Sequence, residues 1–316
     1  MYPRTAAEFE ARFATEAACR AYLCRLRWPD GFRCRCGNAR AWETARGLWQ
    51  CAACGSQTSV TAGTVFQDTR KPLRLWFEVM WWLTGQKTGA SALGLQRLMG
   101  LGSYETAWTW LQKLRRAMVR PGRDRLSGAV EVDESFVGGL GGSRGRSTAK
   151  KALIVVAAED VGYGIGRIRM RRIPDASAES LEGFVEDAIE PGSLVHTDGW
   201  HGYNGLKATG YRHRVTLLRG QHELASKLLP RVHRVVSLLK RWLLGTHQGA
   251  VSAPHLDYYL DEFTFRFNRR TSRHRGQLFF RLAQQAVAVE PAPYASLIKH
   301  VHRHRNRLGS SLQSRG

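Results

Sequence analysis

Acids are scarce in this chain of 316 residues. It carries 26 Asp and Glu against 48 Lys and Arg, a formal net charge of +22. Such an excess of base calls for a polyanionic partner, most simply nucleic acid. An anionic membrane surface would want one basic amphipathic helix, and here the basic residues are spread along the whole chain. Long apolar runs are also lacking. The most apolar stretch, Leu75 to Leu83, is broken by Glu78 and falls far short of the roughly 20 residues that cross a bilayer. The beginning of the chain contains acids and no apolar core, so no signal peptide is expected and a cytoplasmic location is. Cysteine is sparse, at six residues, and in that compartment metal ligation or free thiols are expected rather than disulfides. There is no internal repeat. What remains is ordinary: 43% hydrophobic residues, in a chain long enough for about two or three domains.

Residues 1–31 read as an N-terminal helical segment. Phe9, Phe13, Ala17, Cys19 and Tyr22 form a helical stripe that ends before the turn Trp28-Pro29-Asp30-Gly31. Residues 32–66 change character. Cys34-Arg35-Cys36-Gly37 and Cys51-Ala52-Ala53-Cys54-Gly55 are paired cysteines on two tight turns, the pattern of a zinc ribbon with four thiolate ligands. The first pair is one residue short of the usual gap, so Cys24 is an alternative ligand, and four unliganded thiols are the plain alternative to zinc. Residues 73–120 read as three helices, Leu73–Thr84, about Ser91–Met99 and about Ser103–Met118, with Gly100-Leu101-Gly102 between the last two. A short helix, a Gly-containing turn and a longer helix bearing Lys113, Arg115 and Arg116 fit a helix-turn-helix that contacts DNA, although any three-helix bundle gives the same pattern.

From residue 128 onward strands alternate with helices. The stretch Val130-Glu131-Val132-Asp133-Glu134-Ser135-Phe136-Val137 is rich in β-formers and closes on Gly138-Gly139. It places Asp133 where a central strand normally carries an apolar residue. A buried carboxylate is costly unless a cation or hydrogen bonds compensate it. The strand is therefore either an edge with solvated acids or part of a metal site. Strands are expected at Ala152–Glu159, Gly164–Arg171 (with one wet, basic face), Ser193–Asp198 and Arg212–Leu218, with an amphipathic helix over Ser177–Ile189. This is an α/β domain with a mixed five-stranded sheet and flanking helices. The loop Gly141–Lys151 carries Arg144, Arg146, Lys150 and Lys151, and is either a solvated hairpin or a phosphate-contacting loop. Leu229-Pro230 opens a helix through about Leu244, with His233 and Lys240 seven positions apart and so on one face. Another helix covers Pro254–Arg270, where Phe263, Phe265 and Phe267 leave a strand open for its end. Residues 291–316 form a basic tail able to lie along DNA. Asp133 and Asp198 both fall at or near strand ends, and if those strands are neighbours the two carboxylates converge in a way that suits Mg²⁺.

These separated motifs, Val130 to Gly139, then His196-Thr197-Asp198-Gly199, then Leu239-Lys240-Arg241, then Tyr259 to Arg270, resemble bacterial insertion-sequence transposases with the ISXO-type catalytic domain. The likeness spans roughly residues 10–285. It implies an RNase H-like fold of the DDE superfamily over 128–285, preceded by the zinc ribbon and helix-turn-helix. It implies metal-dependent cleavage of DNA at terminal inverted repeats, followed by strand transfer. The superfamily pattern is two aspartates, a third metal-site residue on a later helix, and a base seven positions beyond. Here it falls on Asp133, Asp198, His233 and Lys240. Most of the superfamily has Glu at the third place, and relatives of this family carry Asn or His. A neutral imidazole favours Mn²⁺ over Mg²⁺, and Glu223 or Glu134 are other sources of a carboxylate. Glu134 is expected to point away from Asp133. Arg241, Arg266, Arg269 and Arg270 join the expected DNA contacts, and end-joining implies a homo-oligomer on DNA. The short cysteine pair and the missing third carboxylate leave a second reading: a catalytically inactive DNA-binding protein that retains the fold.

Overall fold

A computed structural model of the chain describes residues 2–120, 122–138, 151–216, 228–249 and 251–298. It comprises two compact units, one built on residues 1–120 and 271–301, the other on 121–270.

In the first unit the expected N-terminal helix is two helices, α1 (Ala6–Arg12) and α2 (Glu16–Arg27). Thr5 Oγ1 accepts from the Glu8 N–H and Thr15 Oγ1 from the Ala18 N–H. Thr15 thus offers the backbone a fresh N-cap inside the periodic stretch, which divides it. Three short antiparallel strands follow, β1 (Ala41–Glu43), β2 (Trp49–Cys51) and β3 (Gln57–Thr58), in that order across the sheet. The expected three helices are α3 (Leu73–Gly85), α4 (Ala92–Met99) and α5 (Tyr104–Ala117). Ser91 and Ser103 cap α4 and α5. Gly100, at φ 60°, takes the left-handed conformation that lets the Leu101 N–H return to the Gln96 carbonyl. α3 begins after Pro72 with no cap of its own. The Glu16 carboxylate of α2 serves it instead, accepting from the Leu73 and Arg74 N–H groups at 2.9 and 3.0 Å.

The core of this unit is aromatic. Phe9, Phe13, Tyr22 and Phe77 pack around Phe279, which arrives on the helix Arg275–Ala286. That helix packs on α3, and Gly276 lets the N-terminal segment pass close to its start: a Cβ there would collide with the Pro3 carbonyl. The sequence reading carried the catalytic domain to residue 285, whereas the structure groups residues 271–301 with the N-terminal helices. The apolar face of that helix, Leu278, Phe279, Leu282, Ala283 and Ala286, is buried there. A short helix, Tyr294–Ile298, lies where the basic tail was expected to begin. The rest of the tail is outside the described residues.

The second unit is an RNase H-like α/β fold. Its strands are β4 (Ala129–Val137), β5 (Ala152–Asp160), β6 (Ile165–Ile173), β7 (Leu194–Thr197) and β8 (Arg212–Val215). They lie in the order β6-β5-β4-β7-β8. β4, β5 and β6 form an antiparallel meander, and β7 and β8 continue the sheet in parallel. β4 is therefore central, and the edge-strand alternative for the acidic stretch is excluded. α6 (Ala178–Ala188) covers one face, where Leu181, Phe184 and Val185 pack with Val130, Val132, Val155, Ala157 and Val195. α7 (Pro230–His247) packs on β4 and β5, and α8 (Leu256–Phe267) packs on β6. α8 remains helical to its end, so the strand alternative for its last residues fails. The buried phenylalanines there lie on a helix packed on β6 rather than continuing the sheet.

The basic face expected to be wet on β6 is largely taken up. Arg167 pairs with Glu159 at 2.7 Å, Arg171 with Asp187 at 2.7 Å, and Arg169 is buried with its guanidinium on the Ile168 and Asp124 carbonyls. No described helix is long and apolar enough to cross a membrane.

Candidate active site

The two faces of β4 differ in kind. Val130 and Val132 point into the apolar core under α6. Glu131, Asp133 and Ser135 alternate with them and face α7. Each finds a residue of that helix. Glu131 pairs with Arg231 at 2.9 Å, Asp133 Oδ2 lies 3.7 Å from His233 Nε2, and Lys240 Nζ donates to Ser135 Oγ at 3.1 Å. Glu134 is on the other face, as expected, and there its Oε2 accepts from the buried Tyr203 hydroxyl at 2.7 Å.

Asp198 reaches the site by strand register. β7 runs parallel to β4 with Glu131 opposite His196. Two places further, Asp198 falls level with Asp133, just beyond the end of β7. The chain turns at that point: Asp198 Oδ1 accepts from the Trp200 N–H at 3.0 Å, and Gly199 takes φ 87°. The expected pair of neighbouring carboxylates therefore lies at the carboxyl end of a parallel strand pair, where a sheet edge opens to ligands.

The electrostatics are those of a site short of positive charge. The Asp133 carboxyl is pushed up to about 7 by burial, then by the nearby charges of Glu134 and Asp198. Burial likewise holds the His233 imidazole below its ordinary value, so at neutral pH it is uncharged. Burial, and then the neighbouring Lys151, lowers the Lys240 ammonium. His233 Nε2 is buried and has no hydrogen-bond partner. A neutral imidazole with an orphaned ring nitrogen beside a reluctant buried carboxylate is a donor set that fits a divalent cation. The fit is looser than that of the thiols: Asp133, Asp198 and His233 do not close to the mutual separation reached by the cysteines.

Those cysteines are gathered tightly. The Sγ atoms of Cys34, Cys36, Cys51 and Cys54 all lie within 4.8 Å of one another. Cys34–Cys54 and Cys36–Cys51 are 3.5 and 3.6 Å apart. A tetrahedral ion with Zn–S bonds of about 2.3 Å needs about 3.8 Å between sulfurs, so the shortened first pair still fits. Asn38 Nδ2 donates to Cys51 Sγ at 3.5 Å, and the Cys51 thiol is drawn down to about 6, chiefly by that bond. Cys24 stays outside the cluster beside Trp49, so it is not needed as a substitute ligand.

Residues 125–268 match the ISXO2-like transposase domain, and residues 14–57 match the transposase zinc-ribbon domain. Residues 125–268 are thus an ISXO2-like transposase domain, with a transposase zinc ribbon ahead of it. No curated protein matches it. Among solved structures it is similar to a chain in the cryoEM structure of a simian T-cell lymphotropic virus intasome in complex with PP2A regulatory subunit B56 gamma. That match has 14% identity and a TM-score of 0.33, over 63% of this chain and 74% of that one; at that score it carries no functional argument.

The transposase domain brings together Asp133, Asp198, His233 and Lys240, all four of the residues expected at its centre. The expected DNA contacts divide differently. Arg115 is 1% exposed and donates to the Ala90 carbonyl and Gln112, so it serves the core of its helical unit and is not a surface contact. Burial lowers the Lys113 ammonium, Arg116 is half-buried and Arg241 is exposed. Arg266 is bound to the buried Glu262, Arg269 lies over the Phe265 ring, and Arg270 donates to the Ile165, Gly166 and Phe267 carbonyls. The first two of these contacts are local to α8, while Arg270 braces its end against β6, where Asn268 also bonds both backbone groups of Ile168. Arg144, Arg146, Lys150 and Glu223 lie outside the described residues, and Lys151 is half-buried beside Lys240.

Glu131, Ser135, Arg231, Tyr203 and Asn38 were given no role from sequence. For Glu131 and Ser135 a signal existed: with Asp133 they form a polar stripe of period two on a strand whose other face is apolar except at Glu134.

Proposed function

We propose that this transposase binds the terminal inverted repeats of its insertion sequence and cuts the DNA there. It then joins the freed 3′ ends to a target. The single observation that carries this reading is the convergence of Asp133, Asp198 and the unpartnered Nε2 of His233 at the end of β4 and β7. Asp133, Asp198 and His233 would hold Mg²⁺ or Mn²⁺, two ions in the full site. Such ions, when bound, polarise the phosphoryl oxygens and stabilise the attacking and leaving oxygens. Lys240 reaches the same opening, where its ammonium contacts a phosphate of the transposon end. In cleavage water supplies the oxygen that bonds to phosphorus, and the 3′ oxygen leaves. In joining that 3′ hydroxyl attacks a target phosphodiester in line, and the target's own 3′ oxygen leaves.

Zinc on the four cysteines holds the ribbon together. The ribbon and the helices α3 to α5 bind the ends, with Lys113 and Arg116 as candidate contacts and Lys151 and Arg241 beside the catalytic centre. Two ends must meet, so the working form is an oligomer of this chain on DNA, in the cytoplasm.

The test is cleavage of DNA bearing the element's own end, with Mg²⁺ and with Mn²⁺, by wild type, Asp133→Ala and His233→Ala. Metal-dependent cutting that requires both residues supports the reading. A wild-type protein that binds this DNA and cuts with neither metal overturns it in favour of a DNA-binding protein without catalysis. Cutting without joining in a strand-transfer assay reduces it to a nuclease.

A further inference from the structure

α7 carries His233 and Lys240; Pro230 marks where it starts, yet no side chain of its own caps it. Leu229 stands at the N-cap with no side-chain bond to offer, and Pro230 follows. The first free N–H groups of the helix, on Arg231 and Val232, are turned inward. Both donate to Glu131 Oε2, at 2.7 and 3.1 Å, and the Arg231 guanidinium donates to Glu131 Oε1 at 2.9 Å. Glu131 is 3% exposed. Arg231 is held in turn by Asp160 at 2.5 Å and the Gly162 carbonyl at 3.1 Å. The carboxylate thus accepts at least three hydrogen bonds, two from the positive end of a helix. It comes from the strand that also carries Asp133, two positions along on the same face.

We propose that Glu131 is the positioning residue that sets α7 in register on β4 and so holds His233 against Asp133. The inference rests on the metal-site reading above and extends it to how the site is assembled. Much of the rest of the grip on α7 is apolar, through Val232, Val235, Val236 and Leu239, with Lys240 Nζ adding one bond to Ser135 Oγ about two turns beyond His233. Apolar burial is non-directional. A shift of one residue along the helix moves a side chain about 1.5 Å and turns it about 100°, enough to take Nε2 away from Asp133. The bonds from Glu131 are directional and admit one register. A comparable carboxylate cap, Glu16 on α3, serves a helix that carries none of the metal-site residues, which makes it a control for simple capping.

The experiment measures two quantities on the full chain without DNA: amide exchange at the start of α7, and Mn²⁺ binding by calorimetry. Glu131→Ala is expected to speed exchange at Arg231 and Val232 by about tenfold, the size of a lost cap, and to weaken Mn²⁺ by about tenfold, as for a lost outer-shell partner. Glu131→Gln, whose amide oxygen still accepts the two N–H groups, is expected to keep both within about threefold. Glu16→Ala should speed exchange at α3 and leave Mn²⁺ binding unchanged. Faster exchange in Glu131→Ala with wild-type Mn²⁺ affinity overturns the proposal, as does unchanged exchange. Should Glu131→Ala not fold, Arg231→Ala decides: it keeps both backbone bonds and should keep Mn²⁺ affinity, and a tenfold loss there overturns the role of the cap. Asp133→Ala reports on the underlying reading alone. If it leaves Mn²⁺ binding intact the metal site itself is wrong, while exchange still judges the clamp.

Discussion

Asp133 Oδ2 and His233 Nε2 approach to 3.7 Å across the gap between the central strand and α7, and the imidazole nitrogen has no hydrogen-bond partner. The imidazole is the unusual partner, since a carboxylate is the commoner residue at this place in the superfamily. His233→Ala should cost cleavage more than the roughly 10–100-fold typical of a lost outer-shell group, with DNA binding retained. His233→Glu should shift the metal preference from Mn²⁺ toward Mg²⁺, because a hard oxygen replaces a borderline nitrogen. Cleavage rates against concentration of each metal check both.

The contribution of Asp133 to the stability of the metal-free protein should fall as pH rises from about 4 to about 7. Its carboxyl holds its proton up to about 7 in the fold, chiefly because it is buried, against an ordinary value of 3.8. At this group the folded state binds more protons than the unfolded state in that window, so raising the pH favours unfolding, while the imidazoles of His196, His213 and His233, lowered by burial, act in the opposite sense. Asp133→Asn should flatten part of the slope, the rest belonging to Glu134, also raised by burial. Added Mn²⁺ should reverse it, because the cation binds the ionised carboxylate. Thermal melts at several pH values, with and without Mn²⁺, read this directly.

One zinc per chain is expected by elemental analysis. Removing it with a chelator should unfold the ribbon over residues 34–58 while leaving the five-stranded sheet intact, since only the ribbon's small cluster of Phe32, Cys34 and Cys51 depends on the ion. Asn38→Ala, which removes the amide on Cys51 Sγ, should weaken zinc by about 10–100-fold. Competition with a chromogenic chelator measures it.

Lys240→Ala should weaken binding to end DNA and lower the slope of log affinity against log salt by about 0.9, the loss of one phosphate contact. Lys240→Arg should keep the slope. Filter binding between low and moderate salt separates the two.

Arg115→Ala should act on stability rather than recognition. Its guanidinium is buried on the Ala90 carbonyl and Gln112, so truncation leaves those partners unmet at a cost of about 2 kcal/mol. At a temperature where the variant is folded its DNA affinity should match wild type, whereas Arg116→Ala should bind more weakly.

Much of this molecule was legible in its sequence. The strands from Ala129 to Ile173 and the three helices from Leu73 to Ala117 lie within a few residues of where periodicity and serine caps put them. Ligand spacing selected the four cysteines, and the family resemblance, with a seven-residue separation that helical pitch keeps on one face, selected His233 and Lys240. Charge did not behave this way. Arg115, Arg167, Arg169, Arg266 and Arg270 all read as surface base, yet Arg115 and Arg169 are buried and all five are engaged by a carboxylate or by oxygens of the fold itself. A guanidinium looks the same in sequence whether it meets a phosphate or a strand edge.

The sequence by itself determined the elements, their approximate bounds and the residue types at the chemical centre, since propensity, capping and pattern are local. Tertiary structure decided what lies far apart along the chain. The parallel pairing of β7 with β4 brought Asp198 level with Asp133, the Glu131 cap placed α7, and the buried apolar face that includes Phe279 drew a late helix into the first unit. Each of these is a contact between distant segments, set by register, burial and the need to satisfy backbone groups, and none has a local signature.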